Sequence, residues 1–458
     1  MGFLSLGCGR RGMLTVGALV LSILGSLLLL NLPGRWLDLA APFTWTHEEA
    51  TPESATPIST GPPRQLRLAH LAALGADSWH KQGLRGDKIK VAILDSSFRG
   101  YRDFQANGLP ADLGLRSFRM DRNLEARDSQ HGLLCAEVVH AIAPGAELLL
   151  ANWEPDRPES FLDAVRWARS QGAKVISCSL IMPSWSDGEG GGPIHGALEK
   201  LVGTGDAYGD LLFFASAGNI AQRHWAGSFR PDDQHLHQWV QGKTGNTLRP
   251  WGKDRVAVEL YGKIAAEYEL TVIDRQAGMT VGQAVLRPSS GKKKGESCCA
   301  GVRYLPRVDR TYEVRVRQLS SRPGQRHDKF HLVVLGGFLE HSRAGGSIPF
   351  PGDGACVQAV GAVDANGRRL FYSACGPNSK RLKPDFVAPV PFPSEFRERA
   401  FAGTSAAAPQ AAALAALMWS RNPGWTASKV RNTMQLCARD LGPAGHDWET
   451  GFGAVHLP

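Results

Sequence analysis

Residues Lys88–Asp95 read KIKVAILD, a short apolar run that ends in a carboxylate. A run of this length bounded by turn residues suits a parallel strand buried on both faces. The same grammar continues on either side. Leu71–Gln82 has helical spacing, and His131–Ile142 is a helical pattern stopped by Pro144-Gly145. Glu147–Asn152 (ELLLAN) reads as a strand, Ser160–Gln171 as an amphipathic helix, Lys174–Leu180 (KVISCSL) as a strand, His195–Val202 as a helix and Leu211–Ser216 (LLFFAS) as a strand. This alternation predicts an α/β fold, a three-layer sandwich around a mostly parallel sheet. Sites in such sheets gather at the carboxyl ends of strands, where Asp95 ends one strand and Asn219 follows another.

The rhythm breaks after Trp225. Between Val256 and Val334 come short alternating runs (VAVELYG, EYELTVID, TYEVRVRQL, KFHLVVLGG) separated by turn signals, the pattern of an antiparallel β-sandwich module inserted into the first domain. The parallel pattern resumes near Cys356 and ends in an Ala-rich helix, Ser405–Ser420, and a second helix over Thr426–Cys437. The expected organisation is a tip and apolar segment over 1–41, a tether over 42–65, an α/β domain in two parts (66–225 and 346–458), and a β-rich module between them (226–345).

At 458 residues with 43% apolar and 21% charged residues, the chain has the makings of a substantial globular core. The formal charge of +9 falls entirely within Gln241–Gly345, where 19 Lys/Arg face 10 Asp/Glu. No nucleic-acid motif accompanies it. The ordinary reading is a solvated basic face that includes Lys292-Lys293-Lys294; the functional one is a site for an acidic partner. Met13–Leu32 is an uncharged apolar stretch preceded by Arg10 and Arg11. It is long enough to cross about 30 Å of hydrocarbon, and the positive-inside rule places the rest of the chain outside the cytoplasm. A cleaved signal would instead release a secreted protein. Pro42–Pro63 is Thr/Pro/Ser/Glu-rich, a semi-extended tether. Cys356 and Cys375 flank a hairpin turning at Asn366-Gly367 and could form a bridge, while no cysteine spacing suggests a zinc site. Gly188–Gly192 reads as a flexible loop, because no P-loop Lys-Ser/Thr follows it. No metal or cofactor is expected.

Four local patterns carry chemistry. Val91–Asp95 puts an acid at a strand end, His131-Gly132 opens a helix, Phe214–Asn219 puts an amide after a strand, and Gly403-Thr404-Ser405 opens the Ala-rich helix ahead of Pro409. Amide hydrolysis needs a nucleophile, a base oriented to deprotonate it, and donors aimed at the developing oxyanion. A serine at a helix start is exposed to attack chemistry with its own N–H pointing outward. Gly403 permits the tight turn ahead of it, and Pro409 is expected to sit close enough to the helix start for its missing N–H to matter little.

With these blocks in order, the chain resembles the subtilisin-like serine peptidases. The resemblance rests on Asp95, His131-Gly132 followed by Ala143–Leu148 (APGAEL), Ala215–Asn219 (ASAGN), Lys383–Pro389 (KPDFVAP) and Gly403–Pro409 (GTSAAAP). It implies Ser405 as nucleophile, His131 as general base and then acid, Asp95 as the group orienting His131, and Asn219 with the Ser405 N–H as oxyanion donors. It also implies a peptide held in extended form along Ser177, Ser179, Leu180 and Ile181 on one side and Ser216, Ala217 and Gly218 on the other. The chain departs from the family pattern at Ser96-Ser97-Phe98, Leu133, Ile181, Ala406 and Gln410, of which Ile181 would narrow the pocket for the residue before the cut. Family members commonly carry a folded pro-domain, for which the segment ahead of Leu66 is too short and too polar.

Singly, each of these residues has an ordinary explanation. Asp95 or Ser405 alone is more often a cap, Asn219 a turn residue and His131 a surface side chain; their order along the chain is what gives the reading weight. The expected function is an extracytoplasmic (periplasmic or extracellular) serine endopeptidase acting on protein or peptide. The alternative is an inactive, membrane-tethered peptide-binding or scaffold relative.

Overall fold

The computed structural model describes residues 63–458 except 127–128, 204–209, 289–297, 308, 321–327, 379–380 and 395–396. The apolar stretch Met13–Leu32 and the lysine run at 292–294 lie outside the described residues. Among the described residues no helix is long and apolar enough to cross a membrane.

A seven-stranded parallel sheet forms the centre. Its strands are β1 (Lys90–Leu94), β2 (Leu113–Phe118), β3 (Glu147–Trp153), β4 (Val175–Cys178), β5 (Leu212–Ser216), β15 (Val357–Val363) and β16 (Phe386–Pro389). The spatial order is β2-β3-β1-β4-β5-β15-β16. The period of two along each strand sorts side chains into two cores. Val91 and Ile93 of β1 join Leu212 and Phe214 of β5 on one face, while Ala92 and Leu94 join Phe213 and Ala215 on the other.

Helices α1 (Pro63–Ala73), α2 (Ala76–Lys81), α4 (His131–Ile142), α7 (Thr404–Arg421) and α8 (Ala427–Cys437) cover the first face; a one-turn helix, α3, spans Tyr101–Phe104. Helices α5 (Pro158–Ser170) and α6 (Pro193–Val202) cover the second. The expected single helix over 71–82 is two helices, because Gly75 breaks it with φ 79. A Cβ there would lie 2.8 Å from the Leu457 carbonyl oxygen, so only glycine fits. Every residue of α7 from Thr404 to Trp419 is buried; its alanines let the helix axis lie close against the sheet.

The inserted module is built from β6 (His224–Ser228), β7 (Asn246–Pro250), β8 (Val256–Gly262), β9 (Glu267–Asp274), β10 (Met279–Leu286), β11 (Cys298–Tyr304), β12 (Tyr312–Ser320), β13 (Lys329–Leu335) and β14 (Gly337–Leu339). They form a five-stranded sheet, β10-β9-β12-β7-β14, and a four-stranded sheet, β11-β8-β13-β6. One apolar core joins the two sheets, with Val258, Leu260, Leu270, Val272, Val314, Val316, Leu332 and Val334 fully buried. The module starts at His224, slightly before the expected boundary. Strands β6, β7, β10, β11 and β14 escaped the sequence reading; β10 is largely exposed, so its apolar alternation is weak.

The four-stranded sheet docks on the α/β domain through its second face. Glu259 and Tyr261 of β8 point away from the sandwich core, and His331 of β13, stacked on Tyr261, has its Nε2 3.3 Å from Glu189 Oε1 of the α/β domain. The Gly-rich loop expected to be flexible is pinned here. The Gly190 N–H donates to Asp353 Oδ2 at 2.9 Å, and the N–H groups of Glu189 and Gly191 donate to Asp187 Oδ1 at 2.9 Å.

Cys356 and Cys375 are not bridged; both are buried free thiols. Cys356 packs in the core beneath α5 and α6. The Cys375 thiol donates instead to the Ala344 carbonyl at 3.4 Å. The hairpin between them pairs only as the isolated bridge Val363–Arg369, so the two chains part before they reach the cysteines.

Candidate active site

Asp95 is the first residue beyond β1 and is wholly buried. A carboxylate there must have every lone pair engaged. Its Oδ1 accepts from the Ser96 N–H at 2.7 Å and the Ser96 hydroxyl at 3.3 Å, and its Oδ2 lies 2.8 Å from His131 Nδ1. Ser96 thus holds the free side of the carboxylate. Because a carboxylate only accepts, Nδ1 of His131 carries the proton and Nε2 is left as a base. His131 opens α4, with a side chain 19% exposed. Gly132 makes this approach possible: a Cβ on it would meet the Ser97 carbonyl oxygen at 2.6 Å and Asp95 Cβ at 2.8 Å. Phe401 packs against the imidazole in T-shaped contact, 5.6 Å between centroids.

Ser405 is the second residue of α7, so its N–H has no carbonyl to bond within the helix. Its hydroxyl donates to the Ser179 carbonyl at 3.4 Å. Pro409 lies deeper in the helix than expected, four residues beyond Ser405, and its missing N–H leaves the Ser405 carbonyl without its helical partner. The Ser179 hydroxyl fills that role at 3.1 Å, with the Cys135 thiol at 3.7 Å. The same thiol lies 3.8 Å from Asp95 Oδ2, so Cys135 sits between the acid and the serine backbone. Burial, with Asp95 beside it, pushes this thiol well above the ordinary cysteine range.

Asn219 is locked in one orientation. Its Oδ1 accepts from the Thr404 N–H and the Thr404 hydroxyl, both at 2.9 Å, and that hydroxyl accepts from the Gly218 N–H at 3.1 Å. A backbone N–H can only donate, so the atom facing it is the oxygen and Nδ2 is turned the other way. Nδ2 lies 2.7 Å from where a Cβ of Gly403 would stand, which excludes any other residue at Gly403 (φ 84). A fixed amide donor thus points toward the turn that carries Ser405, the arrangement an oxyanion site requires.

The residues expected along the substrate cleft divide into two groups. Ser177 and Ser216 are each 1% exposed within β4 and β5, where they belong to the sheet interior. The Ser179 side chain supports Ser405 rather than facing solvent. Leu180, Ile181, Ala217 and Gly218 lie beyond the strand ends, nearer the site. Gly218 has φ 94, and a Cβ there would meet Pro349 Cδ at 3.2 Å and Ile181 Cγ2 at 3.4 Å. Ile181 and Pro349 therefore fill the space beside the segment that leads into Asn219. Pro349, Thr404, Cys135 and Phe401 escaped the sequence reading. Thr404 could have been found as the donor-and-acceptor neighbour of Ser405, and Cys135 as the residue one helical turn after His131; Pro349 and Phe401 carry no local signal.

Asp95, His131 and Cys135 offer ligand atoms within 4.8 Å of one another, a set of the right donors for a soft cation. Taking one would break the Asp95–His131 hydrogen bond and require a thiolate that burial disfavours.

The carboxyl edge of a parallel sheet thus gathers an Asp–His pair, a helix-start serine and an oriented amide, the constellation of a subtilisin-like fold. The sequence profile of the subtilase family matches residues 86–244 and 335–453, more than half of the chain, and the chain belongs to that family. The gap between the matched parts falls on the inserted sandwich. Subtilisin DY of Bacillus licheniformis is 34% identical over 111 residues, 24% of this chain and 40% of its own length. Subtilisin Savinase of Lederbergia lenta is 38% identical over 101 residues, 21% of this chain and 36% of its own length. The chain thus spans well under half the length of these relatives in the matched regions. The solved structure of the Clostridium perfringens CspB protease superposes with a TM-score of 0.62 at 15% identity, covering 85% of this chain and 97% of its own, a likeness of fold.

Proposed function

We propose that the chain is a serine endopeptidase that hydrolyses peptide bonds through an acyl-enzyme on Ser405. The observation that carries this reading is the Asp95–His131 hydrogen bond at 2.8 Å, which leaves Nε2 as the base, in a site where Asn219 is already oriented. In the reaction His131 takes the Ser405 proton as Oγ attacks the carbonyl carbon. Asn219 Nδ2 and the Ser405 N–H stabilise the oxyanion, and the imidazolium, paired with Asp95, returns its proton to the leaving amine. Water then repeats the sequence to release the acyl group. Ile181 and Pro349 beside Gly218 favour a small side chain on the residue before the cut.

The apolar stretch Met13–Leu32, preceded by Arg10 and Arg11, supports a setting in which this domain works outside the cytoplasm at a membrane. Some of the module's basic residues have an acidic neighbour, as in Arg310–Asp274, Arg315–Glu313 and Arg303–Glu259, as on a solvated face. A fluorophosphonate should label the wild-type protein and fail to label Ser405→Ala. A wild-type protein that is neither labelled nor cleaves casein would establish the inactive scaffold instead.

A further inference from the structure

Helix α1 opens the α/β domain, and its polar side chains reach into the two helices that carry the site. Arg67 is 8% exposed and pairs with Glu137, a residue 1% exposed on α4, six residues after His131. Its Nε and Nη2 also donate to the Pro393 carbonyl at 3.2 and 2.9 Å. Glu137 accepts a further hydrogen bond from the Ser394 hydroxyl at 2.8 Å. One turn along α1, His70 Nε2 lies 2.9 Å from Gln410 Oε1 on α7. The Gln410 amide donates to the Pro389 and Ala406 carbonyls, both at 2.9 Å, so its Oε1 faces His70 and His70 is the donor. Ala406 directly follows Ser405.

A second path runs through rings. His70 meets Phe392 edge-on at 4.8 Å, and the Arg67 guanidinium lies over the same ring at 5.6 Å. Phe392 and Phe401 exchange both backbone hydrogen bonds, at 2.7 and 2.8 Å, and Phe401 packs on the His131 imidazole. One short helix is therefore tied to α4, to α7 and to the loop that seats the base.

We propose that α1 is a clasp that sets the position of the His131 ring and the start of α7, with Arg67 and His70 as positioning residues. This rests on the proposed hydrolysis at Ser405. A buried ion pair can be replaced by apolar residues with the fold retained, whereas removal of one partner strands a charge. The test therefore uses the double variant R67M/E137M, together with His70→Ala, which leaves no buried charge behind. Both should fold and melt cooperatively, yet kcat should fall about 10-fold or more with KM changed less than about twofold, as expected when a reacting group is misplaced by a fraction of an ångström. R67K, which keeps the charge on Glu137 but loses the fork onto Pro393, should fall between. The low-field proton resonance of His131 Nδ1–H, assigned by its loss in His131→Ala, should shift or broaden in R67M/E137M and His70→Ala. Unchanged kcat and an unmoved resonance in both variants would overturn the clasp even if their melting temperatures dropped. The resonance also separates the two ideas: if the wild-type protein fails to hydrolyse peptides, displacement of His131 still decides whether α1 positions it.

Discussion

Two regions of this molecule bury strands in opposite ways. In the parallel sheet, Val91–Leu94 of β1 are buried in succession because helices cover both faces. In the inserted sandwich, β9 alternates between half-buried and buried along its whole length because only one face meets a core. An ionised residue in the first region has no water to turn to and needs partners within the protein, as Asp95 has in Ser96 and His131. On the outer face of the second region, charges pair with neighbours at the surface, as Arg315 does with Glu313, and such pairs contribute little. Where architecture forces burial, an ionised side chain must find partners within the protein; where it does not, water can supply them.

Four substitutions would break or sharpen this contrast, starting with the largest effect. Ser405→Ala should lower turnover by roughly 10⁴- to 10⁶-fold, as loss of a triad nucleophile does, while the melting temperature stays within a few degrees; residual cleavage near the wild-type rate would remove Ser405 from the chemistry. Asn219→Ala should lower kcat by about 10²–10³-fold with little change in KM, measured on a chromogenic peptide. A comparable rise in KM would mean that Asn219 binds ground-state substrate instead.

Leu270→Ala, at the centre of the sandwich core, should cost about 2–5 kcal/mol of stability without altering kcat below the transition. A fall in kcat at low temperature would show that the module takes part in the site. The smallest effect concerns Glu259, whose carboxyl is held above the ordinary range chiefly by burial, against the attraction of Arg303. The folded chain binds this proton more tightly than the unfolded one, so its contribution to stability is present at acid pH and is lost as pH rises through the raised value. Glu259→Gln should flatten that part of the stability–pH curve, which denaturant titrations at several pH values would reveal.

The candidate site residues are legible from their order along the chain, each standing at an element end. Asp95 closes an apolar run, His131-Gly132 and Gly403-Thr404-Ser405 open helices, and Asn219 follows a strand. The cleft was harder. Ser177 and Ser216, expected along the cleft, are buried within strands covered on both faces, where the period of two does not mark which side chains reach solvent. The bridge expected between Cys356 and Cys375 failed for a related reason: a hairpin signal fixes the turn, not how far the chains stay paired beyond it.

Local composition thus determined the α/β rhythm and the presence of a second β-rich module, because strand and helix periodicity and turn chemistry act over a few residues, while the order of the blocks along the chain marked the candidate acid, base, amide and serine. The tertiary structure alone decided what surrounds those groups: Cys135 between Asp95 and the Ser405 carbonyl, Ile181 and Pro349 against Gly218, and Arg67 on Glu137. These contacts join residues separated by tens to hundreds of positions, and only the burial that brings helices and loops together gives them energy.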